Sequence, residues 1–289
     1  MPVISIKAET LFYIGTFAVK NSMVLSSFVF IFFILIGYLY YKESQKEDKS
    51  GLYYTLNLIL RNLYDLFSSI VHEKIDVFFP LLSAFFLWIL IQNWSGLLPG
   101  VGSITVKVPA AVVHGTILKQ TSTHIAEKKE DIIIEEKKSK KIESSHEKSQ
   151  SNTNSHNETL EVPLLRGNNA DLNATLALAI ISVTMIQVYG IQFLGFKTYI
   201  SKFLNFKDPI YFVLGILEVI SEVSKVLSFA FRLFGNIFAG EVLLTIVAFL
   251  VPILASFPFL ILEVFVGFVQ ALVFSMLTSV FISLSVSHH

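Results

Sequence analysis

"IYFVLGILEVISEVSKVLSFAFRLFGNIFAGEVLLTIVAFL", residues 210–250, contains no proline, and most of its residues are apolar. At about 1.5 Å per residue, a helix of this length extends roughly 60 Å, twice the thickness of a hydrocarbon core of about 30 Å. It must therefore lie strongly tilted or break, and Gly235 and Gly240 are the positions for a bend. The stretch also carries Glu218, Glu222, Lys225, Arg232, Asn236 and Glu241. An arginine at the bilayer centre costs roughly 2.5–3.5 kcal/mol on insertion scales, so such residues read first as functional.

The rest of the chain fits a membrane protein. Of its 289 residues 53% are hydrophobic, against about 45–50% in an ordinary soluble domain. Formal net charge is zero, so there is no basic excess to suggest a nucleic-acid partner. With no cysteine, disulfides, thiolate metal sites and cysteine nucleophiles are excluded. The seven histidines form no metal-ligand pattern on any predicted helix, and no cofactor is implied.

Met1–Ser22 lacks the basic start, short apolar core and small-residue cleavage site of a secretory signal, so the apolar run Met23–Tyr41 reads as a retained first span. Leu52–Val71 has apolar residues every three or four positions with Arg61, Asn62 and Asp65 between them, the pattern of an amphipathic helix. Phe78–Leu98, entered at Pro80, is the second span, and Leu172–Leu194 the third. The long helix follows as the fourth. Pro252 and Pro258 bracket a turn, and Phe259–Val286 is an overlong fifth span tilted beside it. The expected fold is an all-α membrane protein with about five transmembrane helices, one amphipathic helix and two long, strongly tilted C-terminal helices.

Residues 107–162 break this pattern. "EKKEDIIIEEKKSKKIESSHEKSQSNTNSHNETL" mixes dense charge with Ser and Asn and has no aromatic residue. It reads as a solvated excursion, disordered or partly helical, with too little apolar surface for a core; a folded extramembrane domain is the rival reading. The chain then divides into an N-terminal part (1–106), this insertion (107–162) and a C-terminal helical domain (163–289). The lysines and arginine of residues 42–74 and 195–208 fall on one side of a five-span topology, which makes that side cytoplasmic and the N-terminus external.

On a helical wheel Glu218, Glu222, Lys225, Arg232 and Asn236 fall within about 40° of one line, with Ser228 at its edge. Glu241 points about 140° away. In the last helix Glu263, Gly267 and Gln270 share a second stripe, and the short turn lets the two faces meet. Single polar residues in spans usually serve as interhelical glue. A stripe with acids and an arginine has a different chemistry: the arginine stays charged, whereas buried carboxylates can take up and release a proton. A fixed cation beside protonatable acids suits an ion pathway. Gly235 and Ala239 would admit another backbone close to the arginine.

These residues resemble a family. "RLFGNIFAGE" is similar to the signature of subunit a of F-type ATP synthases, the membrane stator subunit that faces the rotating c-ring. "LFYIGTFAVKNSM", "NWSGLLPG", "ADLNATLALA" and "VQALVFSMLTSVFISL" resemble further segments of it, so the resemblance spans nearly the whole chain. It implies that Arg232 meets the carboxylate of the c-ring. It also implies that Glu218, Ser228, Asn236, Glu241 and Gln270 line two aqueous half-channels or support the arginine. Relatives carry histidine or a small residue at Glu263, and glutamate there accompanies histidine at the Glu241 position; here both are glutamate.

The implied activity is ion translocation, with protons as the expected ion, in a subunit that is not itself catalytic. The implied partners are the c-ring, the peripheral stalk subunit b and membrane lipid. "FAGE" points to a bacterial inner membrane, or a plastid thylakoid, rather than a mitochondrion. The rival class, a polytopic secondary ion transporter, would carry paired inverted repeats, and none is visible.

Overall fold

A computed structural model describes residues 8–71, 74–98, 100–102, 104–109, 159–203, 209–250 and 256–286. Strands β1 (Thr10–Ile14) and β2 (Phe17–Lys20) form an antiparallel hairpin that leads into helix α1 (Asn21–Ser44). Helices α2 (Gly51–Ser68) and α3 (Ile75–Gly96) follow. Strands β3 (Thr105–Pro109) and β4 (Thr159–Pro163) pair antiparallel, and a single 3-10 turn (Asn168–Ala170) precedes α4 (Leu172–Leu194). The chain continues through α5 (Phe196–Phe203), α6 (Pro209–Leu250) and α7 (Ser256–Val286). Five of these helices, α1, α3, α4, α6 and α7, are long and apolar enough to cross a membrane. The protein is an all-α membrane protein, to which the structure adds two small strand pairs.

Local chemistry sets the element boundaries. Ser50 caps α2 by accepting the Leu52 amide at 3.3 Å, and Asp171 caps α4 by accepting the Asn173 amide at 3.1 Å. Gly195, at a φ of 82°, stops α4 in a conformation that other residues adopt at a cost. The predicted 195–208 loop is helical over Phe196–Phe203, and this short helix is anchored by Tyr199, which is buried and hydrogen-bonded to Gln187. Gly190 makes the docking possible, because a methyl there would meet the Tyr199 ring and the Ser285 hydroxyl.

Two helices begin upstream of the prolines that the sequence places at their entrances. Pro80 sits inside α3, which begins at Ile75, and Pro258 lies in the first turn of α7, where a missing amide proton costs nothing. Helix α6 is uninterrupted from Pro209 to Leu250, so neither Gly235 nor Gly240 breaks it. The charged 107–162 stretch also begins later than its composition suggests. Residues 107–109 pair with 159–161, because Val108 and Val162 bury their side chains against Leu11 of the N-terminal hairpin. Residues 110–158 lie outside the described residues.

The core sits where α3, α4, α6 and α7 meet. Phe78, Leu82 and Ile89 of α3, Ile186 of α4, Leu233 of α6, and Phe274 and Ile282 of α7 are almost wholly enclosed. Phe274 packs against Phe85 and Phe229 at ring-centroid distances of 5.5 and 5.0 Å. Polar ties fix the register of α3 on α7: Asn93 donates to the Gly267 carbonyl at 2.9 Å and Trp94 to the Val264 carbonyl at 3.0 Å. Helix α1 is different. It buries only Asn21, Ser22, Leu25 and Val29 and leaves Phe28, Phe30 and Ile31 exposed, a surface suited to lipid.

Candidate functional site

Helix α6 carries the polar stripe, and the structure resolves it into separate clusters. At one end Lys225 donates to Glu222 at 2.6 Å and lies over the Phe281 ring at 4.9 Å. One helical turn and more along, Arg232 is half-buried and donates from Nη2 to Ser228 Oγ at 3.4 Å. Ser221, Ser224, Lys225, Ser228 and Arg232 line a cavity of about 290 Å³ together with Phe229, Leu277 and Phe281. Among the described residues, no carboxylate stands within ion-pair distance of Arg232. Glu218 is half-buried on the same helix, nearer its start.

One turn past the arginine, Asn236 donates to Gln270 Oε1 at 2.6 Å. This bond joins the two stripes, as the wheel predicts. The Gln270 side chain is buried. Gly267, from the same α7 stripe, faces α3 instead: a methyl there would lie 3.1 Å from Asn93 Cβ. The small residue thus lets α3 approach α7 and bring Asn93 close enough to bond.

Glu241 and Glu263 meet in a second cavity of about 310 Å³, formed by α3, the segment after β4, α6 and α7. At about 1.5 Å per residue, Glu241 is roughly 14 Å along α6 from Arg232. Glu263 is 8% exposed, and its carboxylate lies against Gly240 so closely that a methyl on that glycine would collide with it. Glu241 Oε1 pairs with Arg166 Nε at 3.4 Å, while its Oε2 is buried without a hydrogen bond. The cavity wall also holds Gln92, which is fully enclosed with neither amide atom hydrogen-bonded, and Asn93, which accepts from Asn169 at 2.6 Å. Enclosed polar groups without protein partners make this a site for water, since leaving them dry costs roughly 1–3 kcal/mol each.

Of the predicted residues, Ser228 and Arg232 share one cavity, Glu241 and Glu263 share the other, and the Asn236–Gln270 bond joins α6 to α7 between them. Gln92, Asn93, Arg166 and Asn169 were not predicted. The two amides in "QNW", at the end of a span, are a legible signal of polar burial. Arg166 gives none, because an arginine in a segment between elements reads as a solvated surface residue.

A sequence model of the family described as ATP synthase A chain matches residues 22–283. The chain is similar to ATP synthase subunit a of Moorella thermoacetica, 35% identical over 128 residues that cover 44% of this chain and 57% of the relative. It is similar to the subunit of the same name from Desulforamulus reducens, 39% identical over 135 residues, 44% of this chain and 50% of that one. The Syntrophobacter fumaroxidans subunit is 37% identical over 123 residues, 41% of this chain and 50% of its own length. The chain thus spans about half the length of the curated relatives it matches.

Proposed function

This chain belongs to the ATP synthase A chain family, and from that premise we propose that it is the ion-translocating stator subunit of an F-type ATP synthase. An ion enters the cavity lined by Glu241 and Glu263, passes to a carboxylate on a rotating ring of c subunits, and is carried through lipid as the ring turns. When that carboxylate reaches Arg232, the guanidinium favours its ionised form. The ion then leaves through the cavity lined by Ser224, Lys225 and Ser228. Because arginine does not lose its proton, Arg232 also repels any cation that would pass directly between the cavities. ATP itself is made elsewhere in the complex, and no cofactor takes part.

The observation that carries this reading is the state of Arg232: a half-exposed guanidinium lining one of the two cavities, with Ser228 beside it and no carboxylate paired to it among the described residues. The helix face beside it supports the same reading. Gly235 and Ala239 are exposed, and no atom lies within 4 Å of where a Gly235 side chain would begin. A ring of helices can approach there.

Membrane lipid and the stalk subunit b complete the proposed surroundings, in a bacterial plasma membrane; the named relatives are all bacterial. In that membrane α6 and α7 lie strongly tilted, with the Glu241 cavity facing outward and the Arg232 cavity toward the cytoplasm. The 163–289 portion is the ion-translocating unit, and the insertion between β3 and β4 takes no part in translocation. The test is reconstitution in vesicles of the chain alone, with its c-ring, and in the whole complex. Coupled ion transport that needs the ring and Arg232 supports the proposal. Equal transport by the chain alone would instead identify a secondary transporter.

A further inference from the structure

Arg166 lies outside the ion route just described, yet its guanidinium reaches into the Glu241 cavity. The residue sits between β4 and the 3-10 turn and is 6% exposed, an unusual degree of burial for arginine outside a helix. Its Nε stands 3.4 Å from Glu241 Oε1. The charged groups around it come from three other elements. Glu241 is on α6, and Glu263, on α7, lines the same cavity. Glu9, just before β1, is half-buried with Oε2 enclosed and not hydrogen-bonded. Burial holds the Glu9 carboxyl above its usual range, and the Arg166 guanidinium offsets only part of this. The nearby Lys20–Asp171 pair, at 3.7 Å, is satisfied separately and caps α4.

We propose that Arg166 is a positioning residue that competes, as a tethered cation, with the arriving ion for the carboxylate of Glu241. The inference rests on the ion-translocating reading above. Its physical basis is charge balance. Two carboxylates in one poorly solvated cavity would hold a cation too tightly to pass it on. A guanidinium that cannot deprotonate lowers that affinity permanently. Because it is attached to the chain beside the cavity, its local concentration does not depend on the medium.

The experiment uses the complete complex in vesicles, measuring ATP synthesis at fixed membrane potential and fixed cytoplasmic-side pH. Outer-side pH is varied, and outer sodium is varied in a parallel arm. Arg166→Gln is expected to lower the ion concentration for half-maximal synthesis by about tenfold, the size of effect one adjacent opposite charge has on a carboxylate. Arg166→Lys is expected to shift it in the same direction by less, because a lysine in a poorly solvated cavity can shed its proton.

An unchanged midpoint in assembled Arg166→Gln complexes overturns the proposal. Should Arg166→Gln fail to assemble, the Arg166→Lys profile decides alone: a lowered half-saturating concentration supports the competition, and no shift refutes it. The two readings fail differently. Wild-type synthesis that is insensitive to Arg232 removes the translocation reading, whereas coupled synthesis with an unmoved Arg166 profile removes only this one.

Discussion

The carboxylate of Glu263 rests directly on the backbone of Gly240, with no room between them for a methyl group. Glycine here is a matter of space, since Gly240 lies within the uninterrupted helix α6. The group in the way is the mobile end of a side chain, so Gly240→Ala should assemble normally. It must, however, displace the carboxylate into the Glu241 cavity. ATP-driven pumping by Gly240→Ala complexes should fall several-fold, and shortening the acid in Gly240→Ala/Glu263→Asp should restore part of it. Normal pumping by the single variant would show that the position of the Glu263 carboxylate does not matter.

Arg232→Lys keeps a positive charge but loses the planar fork that fits a carboxylate, and a lysine in a poorly solvated site can shed its proton. Coupled pumping should drop by about tenfold or more, the fork being the feature that lysine cannot replace. Arg232→Ala should in addition let ions leak passively, measured as decay of an imposed gradient in vesicles without ATP. A lysine variant that pumps like wild type would remove Arg232 from the proposed role.

Glu241 and Glu263 line one cavity, so either can serve the passing ion when the other is neutralised. Glu241→Gln and Glu263→Gln should each slow pumping and move its pH dependence, and the double variant should lose far more than the two single effects combined. Pumping rates over a pH series for all three variants give the answer. Effects that merely add in free energy would mean the two acids act separately.

The pairing of β3 with β4 decides where the charged insertion can be cut. Removing 110–158 and joining Pro109 to Thr159 through a short turn keeps the strand pair and the Val108–Val162–Leu11 contact. Loop closure costs little whatever the length removed, so assembly and pumping should stay near wild type. Joining Gly102 to Glu161 instead deletes β3 and should reduce the amount of assembled complex on native gels. Equal yields from both deletions would show that the strand pair contributes nothing.

Apolar length and periodicity carry most of the fold in the sequence. Phe-rich runs of about 20 residues or more have few structures open to them in lipid, because every backbone group must bond within its own segment. For that reason Leu172–Leu194 is legible to the residue, and the amphipathic period of α2 is legible to within a few positions. The two hairpins escaped notice: β2 and β4 are four and five residues long, and their pairing depends on partners that local pattern does not reveal. Charge composition concealed β3 and β4 further, since they flank the most polar part of the chain.

The polar stripe on α6 followed from the sequence because one unbroken helix fixes the angle between its own residues, wherever that helix packs. Which stripe residues share a cavity did not follow, because that depends on the rotation and height of α7 and α3 against α6. Those are set by the Asn93–Gly267 and Trp94–Val264 bonds and by the fit of Glu263 to Gly240. The pairing of Arg166 with Glu241 joins residues 75 positions apart on separate elements. Periodicity within one helix orders its own side chains, and only the packing of helices together decides which charges meet.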